Sequence, residues 1–93
     1  MTEPQPLDLP IDGQLDLHTF RPQEVRGLLH AYLDACRERD ILEVRVIHGK
    51  GTGTLRRIVH SQLGRRDDVI AYRLAPDASG WGATLVTLAP NKT

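Results

Sequence analysis

Asp16 and His18, two residues apart in Leu15-Asp16-Leu17-His18, and His48, which opens the run His48-Gly49-Lys50-Gly51-Thr52-Gly53-Thr54-Leu55-Arg56, are residue types suited to phosphate chemistry. Cleaving a phosphodiester needs a group to activate the nucleophile and another to protonate the leaving oxygen. It also needs N–H groups or positive charge to stabilise the transition state. A carboxylate beside an imidazole, a second imidazole and a lysine provide all three. The second run adds glycines that permit close backbone approach, the hydroxyls of Thr52 and Thr54, and a helix start whose N–H groups attract an oxyanion. Arg56 and Arg57 follow directly, where they could reach phosphates along a strand of nucleic acid. Asp16, His18 and His48 are therefore the catalytic candidates. Gly49, Lys50, Gly51, Thr52, Gly53, Thr54, Arg56 and Arg57 are the phosphate- and nucleic-acid-binding candidates.

Each assignment has a plainer counterpart. The glycine loop also reads as a strand-to-helix turn that needs glycine for its φ angles, with Lys50 solvated. Asp16 also reads as a cap on a nearby turn, with His18 a satisfied polar residue at a strand end. The loop is not a Walker A motif, because no Gly-Lys-Ser/Thr follows a glycine at the required distance. It also fails Gly-x-Gly-x-x-Gly, because Arg56 stands where the third glycine is expected counting from Gly51. A nucleotide cofactor is not expected.

His30 falls on the first predicted helix just outside its apolar stripe and His60 on the second, and both read as surface or boundary residues. No His, Asp or Glu spacing makes a metal cage. Cys36 is the single cysteine, so neither an internal disulfide nor a cysteine zinc site can form, and it reads as a small buried hydrophobe. Trp81, between Gly80 and Gly82, reads as covering the end of the core, with stacking on a base as the alternative.

The elements that must position these residues follow from periodicity. Leu15 and Leu17 alternate with Asp16 and His18, which predicts a first strand over 15–18 with both polar groups on one face. From Pro22 the spacing of Val25, Leu28, Leu29, Tyr32, Leu33 and Cys36 predicts an amphipathic helix, with proline in its first turn. Leu42, Val44 and Val46 predict a second strand leading into His48. Leu55, Ile58, Val59 and Leu63 predict a second helix, N-capped by Thr52 or Thr54 and closed by Gly64. Residues 69–74 and 83–88 are rich enough in strand formers for two more strands. The order β-α-β-α-β-β predicts a two-layer α/β sandwich: a mixed four-stranded sheet with two helices on one face. Helix-linked strands should pair in parallel and the last two antiparallel. Open α/β sheets place ligands at the C-terminal strand edge, where Asp16, His18 and His48 would converge.

With 93 residues, one core and one domain are expected. Residues 1–14, with Pro4, Pro6, Pro10 and Gly13 among acidic residues, read as an extended and partly mobile arm; 15–89 form the domain and 90–93 a tail. The apolar runs are too short for a membrane span and no leader pattern is visible, so a cytoplasmic location and no membrane partner are expected. The formal charge is zero, which taken alone counts against nucleic-acid binding. Its distribution does not: residues 1–18 carry Glu3, Asp8, Asp12 and Asp16 without a Lys or Arg, whereas 45–73 carry Arg45, Lys50, Arg56, Arg57, Arg65, Arg66 and Arg73 against Asp67 and Asp68.

Three segments in order, Leu15-Asp16-Leu17-His18, the His48–Arg56 run and Gly80-Trp81-Gly82-Ala83-Thr84-Leu85-Val86-Thr87-Leu88, resemble the Smr (small MutS-related) domain family over about residues 14 to 89, in its stand-alone form. The resemblance implies a two-layer sandwich similar to the C-terminal domain of translation initiation factor three. It implies nicking or cleavage of DNA or RNA, with a part in DNA repair, or else binding of branched or ribosome-associated nucleic acid. Asp16, His18, His48, Gly49, Lys50 and Gly51 occupy the family's implicated positions. Where many members place glycine after the first histidine, this chain has Thr19 and Phe20. An endonuclease holding phosphate at the glycine loop is the leading expectation, with no tightly bound cofactor, Mg²⁺ or Mn²⁺ assisting cleavage, and a monomeric state. The alternative is a non-catalytic DNA-, RNA- or ribosome-binding module. A protein-interaction domain is the third reading.

Overall fold

A computed structural model describes residues 9–49, 51–76 and 82–90. Its elements are β1 (Gln14–Asp16), α1 (Pro22–Glu38), β2 (Glu43–Ile47), α2 (Thr54–Leu63), β3 (Val69–Leu74) and β4 (Ala83–Leu88). Lys50, Gly80, Trp81 and the ends 1–8 and 91–93 lie outside the described residues, and with them the expectations placed there.

The two apolar periods of the sequence account for the packing. In β1 and just beyond, Leu15 and Leu17 are buried while Asp16 and His18 face outward. In α1 the whole expected stripe, Val25, Leu28, Leu29, Tyr32, Leu33 and Cys36, is buried. These side chains close on Val44, Val46, Val59, Leu63, Val86 and Leu88 in one core. Burying a leucine- or valine-sized side chain contributes roughly 1.5–3 kcal/mol each. The helix starts at Pro22, and the Arg21 N–H just before it is met by the Glu24 carboxylate at 2.8 Å. At its far end Asp40 adopts φ +61, which lets the Ile41 N–H reach back to the Cys36 carbonyl at 2.8 Å.

The sheet order is β1-β2-β4-β3. β1 pairs with β2 in parallel, Asp16 standing opposite Ile47, whereas β4 pairs antiparallel with both β2 and β3. Parallel pairing of helix-linked strands therefore holds for β1 and β2 and fails for β2 and β3, which run the same way with β4 between them. Burial explains the insertion. β4 buries Thr84, Val86 and Leu88 and suits a central place, while β3 leaves Ile70, Ala71, Tyr72 and Arg73 exposed and suits an edge.

β1 runs Gln14–Asp16 and not 15–18, so Leu17 and His18 follow the strand, and two other boundaries also depart from the sequence reading. α2 is capped by Gly53 at φ +87, not by a threonine, because the chain enters the helix through a left-handed turn that glycine takes without steric cost. Residues 9–13, expected within an extended arm, lie against the domain: Leu9 and Ile11 pack on the core. The Gly13 N–H donates to the Tyr32 hydroxyl at 3.1 Å, and the Gly13 carbonyl accepts from Arg45 N–H at 2.7 Å.

Candidate functional site

The parallel pairing of β1 with β2 brings two histidine-bearing strand ends together. The Leu17 N–H bonds the Ile47 carbonyl at 2.7 Å, so His18 and His48 leave the sheet side by side. Both line a cavity of about 390 Å³, with Phe20, Pro22, Gly49, Gly51, Thr52, Gly53, Thr54, Leu55 and Arg56. One wall is the glycine loop and the start of α2. Phe20, Pro22 and Leu55 give the cavity apolar surface. The first N–H groups of any α-helix lack intrahelical partners and carry the positive end of its dipole. The first turn of α2 holds no acidic residue to occupy them.

Asp16 does not line the cavity but acts on a residue that does. Its Oδ1 lies 2.5 Å from His18 Nδ1 and also accepts the His18 backbone N–H at 3.1 Å. A carboxylate oxygen accepts, so Nδ1 carries the proton. In the neutral ring Nε2 is then left with its lone pair. Partial burial raises the Asp16 pKa, but the hydrogen bonds and charge of His18 outweigh it, and the carboxyl sits below its ordinary value. Both side chains are about half exposed, so the pair is open to a ligand. Thr19 fits without strain: among the described residues Asp40 is the single non-glycine at positive φ, and the Phe20 N–H closes the turn on the Leu17 carbonyl at 2.9 Å.

His48 is placed differently. It is 4% exposed, with Nδ1 3.1 Å from the Gly49 carbonyl and Nε2 2.8 Å from the Thr84 hydroxyl. Both ring nitrogens are thus satisfied within the protein. Burial pushes its pKa below the ordinary histidine value; the Gly49 hydrogen bond opposes this in part, and the nearby Arg56 charge adds a lesser downward push. Gly49 takes φ +81 and donates its N–H to the Gly82 carbonyl at 2.8 Å, beside the His48 N–H at 2.9 Å. The loop is therefore tied down at its first residue.

In the rest of the loop Thr52 and Thr54 join hydroxyls at 2.8 Å. Arg56 is half-buried at the cavity and lies over Gly53, where an added β-carbon would meet its guanidinium at 3.2 Å. Arg57 is exposed and outside the cavity lining.

Sequence reasoning missed two residues and misread a third. His60, taken for a boundary residue, has Nε2 2.8 Å from the same Thr84 hydroxyl that meets His48. Thr84 itself is fully buried. The signals were present: His60 is four residues after Arg56 and three before Leu63, on one helical stripe, and Thr84 occupies an inward position of β4. Arg66, counted within the basic stretch, is taken up internally. Its guanidinium bonds Asp68 at 2.6 and 2.8 Å, Asp34 at 2.7 Å and His30 Nδ1 at 2.9 Å, and His30 Nε2 meets Gln62 at 3.0 Å.

Among the described residues no three His, Cys, Asp or Glu side chains converge. Mg²⁺ and Mn²⁺ favour several oxygen ligands. Among the described residues the site offers one carboxylate, and one of its oxygens is already bonded to His18. These residues alone do not fit a resident divalent ion. Among the described residues no helix is long and apolar enough to cross a membrane.

A family profile described as Smr domain matches residues 15–89. Proteins called endonuclease MutS2 are similar in sequence. That of Latilactobacillus sakei is 38% identical over 78 residues, 83% of this chain and 10% of the relative. That of Solidesulfovibrio magneticus is 41% identical over 75 residues, 80% of this chain and again 10% of the relative. The chain thus spans about a tenth of the length of these relatives. Two crystal structures share the fold. The Smr domain of Thermus thermophilus MutS2 superposes with TM-score 0.80 at 31% identity, covering 85% of this chain and all of that one. YdaL, a stand-alone small MutS-related protein from Escherichia coli, gives TM-score 0.77 at 30% identity, covering 83% of this chain and 64% of that one.

Proposed function

The chain belongs to the Smr domain family, and from that premise we propose that it is a nucleic-acid-processing domain that cleaves the phosphodiester backbone at the cavity between His18 and the start of α2. The observation that carries this reading is the Asp16–His18 pair, 2.5 Å apart, whose histidine lines the same cavity as the glycine loop and the start of α2. The name endonuclease MutS2 borne by the relatives agrees with it.

In this proposal the backbone N–H groups at the start of α2, with Gly51, Thr52, Gly53 and Thr54, hold a phosphate oxygen, and Arg56 adds charge to it. His18 works from the other side. With Nδ1–H held by Asp16, its Nε2 accepts the proton of the attacking hydroxyl or water as the new P–O bond forms, and the leaving oxygen takes its proton from the imidazolium so formed or from solvent as its bond to phosphorus breaks. Asp16 is a positioning residue that fixes the tautomer and stabilises the imidazolium once formed, as a buried aspartate does for histidine in hydrolytic triads. His48, with both nitrogens committed, anchors the loop. The phosphate-holding role expected of it from sequence falls in this proposal to the backbone N–H groups and Arg56, while proton handling stays, as expected, with His18 and Asp16. Phe20, Pro22 and Leu55 give a sugar or base apolar surface beside the phosphate.

Purified protein incubated with end-labelled RNA and with supercoiled DNA, with Mg²⁺, Mn²⁺ or chelator, tests this. Product is expected from the wild type and not from His18→Ala or Asp16→Ala, both of which should still shift the labelled strand. Retained binding with no product under any condition would replace cleavage by the non-catalytic nucleic-acid-binding reading.

A further inference from the structure

We propose that Thr84 and His60 are positioning residues of this site, members of a partly buried hydrogen-bond chain that runs from His60 through Thr84 and His48 to the Gly49 carbonyl and sets the shape of the glycine loop. The inference rests on the phosphate reading above and assigns how that site is held open.

The polarity of the chain follows from its acceptor end. A carbonyl oxygen only accepts, so the contact at 3.1 Å requires the proton of His48 on Nδ1. A neutral imidazole has one N–H, so His48 Nε2 accepts from the Thr84 hydroxyl at 2.8 Å. That uses the single hydrogen of Thr84, whose oxygen then accepts from His60 Nε2–H at 2.8 Å. Each link fixes the next. Burial, aided for His60 by its His48 neighbour and for both by Arg56, keeps the two imidazoles below the ordinary histidine range and so in the neutral form the chain requires.

The packing leaves little room for another arrangement. Thr84 is fully buried opposite Val46 on the inward side of β4, where a plain hydrophobe would serve a core and where a hydroxyl is costly unless bonded. It is bonded on both sides. His48 meets His60 edge to face, with ring centroids 6.1 Å apart, and His60 leans on Tyr72 at 5.1 Å. At the other end Gly49 is gripped twice, its carbonyl by His48 and its N–H by Gly82. Releasing His48 therefore frees one of the two ties on the residue that opens the loop.

Thr84→Val removes the hydroxyl and keeps the shape, and Thr84→Ser restores the hydroxyl. Long-range ¹⁵N–¹H spectra of the histidine rings report the tautomer, and fluorescence anisotropy of a labelled single-stranded oligonucleotide at low salt reports the loop. Wild-type His48 should be the Nδ1–H form. In Thr84→Val that single form should be lost and affinity should fall about tenfold, the size expected for a buried acceptor left unpaired. Thr84→Ser should return both toward wild type. His60→Leu carries the same expectation in weaker form and decides the matter if Thr84→Val does not fold. An Nε2–H tautomer in wild-type His48 overturns the proposal, as does a folded variant that loses the tautomer and keeps its affinity. A wild type that binds no oligonucleotide removes the phosphate reading and this inference together, whereas binding that survives loss of the chain removes the inference alone.

Discussion

Replacing Gly49 with alanine isolates the backbone strain of the loop from every packing effect. Gly49 has φ +81, and a β-carbon there would meet nothing nearer than His18 Cβ at 4.0 Å, an ordinary contact. The cost is then conformational, about 1–2 kcal/mol for a side-chain-bearing residue held left-handed. If the residue relaxes instead to negative φ, it gives up its N–H bond to Gly82 and the bond from His48, roughly 1 kcal/mol each. Both routes arrive at a similar loss. For a domain of this size each kcal/mol lowers the Tm by roughly 4–8 °C, so a fall of about 4–16 °C is expected. Gly51→Ala is the matched control: its β-carbon would enter open space and its φ is not left-handed, so the change should stay within about 0.5 kcal/mol. Thermal denaturation followed by circular dichroism near neutral pH reads both. Equal losses at the two positions, or no loss at Gly49, would refute the claim that a left-handed residue sets the loop.

Three other outcomes are expected. Burial holds His48 and His60 below the value of about 6.5 that histidine has in an unfolded chain, so the unfolded state takes up protons that the fold refuses. Stability should accordingly decline as pH falls from roughly 7 to 5, and His60→Leu should flatten that slope in Tm; a Tm that is level or rises on acidification speaks against buried neutral imidazoles. Arg66→Ala should cost about 2–3 kcal/mol in urea denaturation, because it strips charged hydrogen bonds from Asp68, Asp34 and His30, yet it should leave oligonucleotide affinity unchanged. Arg56→Ala should do the reverse, weakening oligonucleotide binding and reducing the slope of log K against log salt by about 1, with little change in Tm.

Local chemistry was legible in the sequence where one period or one spacing decides it. The α1 stripe and the alternation of Leu15 and Leu17 with Asp16 and His18 follow from side-chain direction, and the bounds of β3 and β4 from their content of strand formers. So does the meeting of His18 with His48, given parallel β1 and β2. What escaped was set by contacts between distant segments. The central place of β4 depends on which strand can bury both sides, a comparison between strands that no single strand displays. The roles of Thr84 and His60 arise because β4 and α2 meet behind His48, so a threonine in a strand and a histidine on a helix acquire a shared partner only in three dimensions. Gly53 displaced the threonines as helix cap because the entry to α2 needed a left-handed residue, and propensity for capping does not report the direction from which a chain arrives. The strength of the basic stretch was overread for the same reason, since Arg66 finds its carboxylates on α1 and just before β3.

The most direct test of the cavity as a phosphate site is an amide chemical-shift titration of the wild-type protein with a short single-stranded oligonucleotide at low salt. Saturable shifts confined to Gly49, Gly51, Thr52, Gly53, Thr54 and Arg56, with the His18 ring moving in step, are expected. Shifts confined to the exposed edge at Ile70 and Tyr72, with the loop and His18 unmoved at saturation, would contradict it.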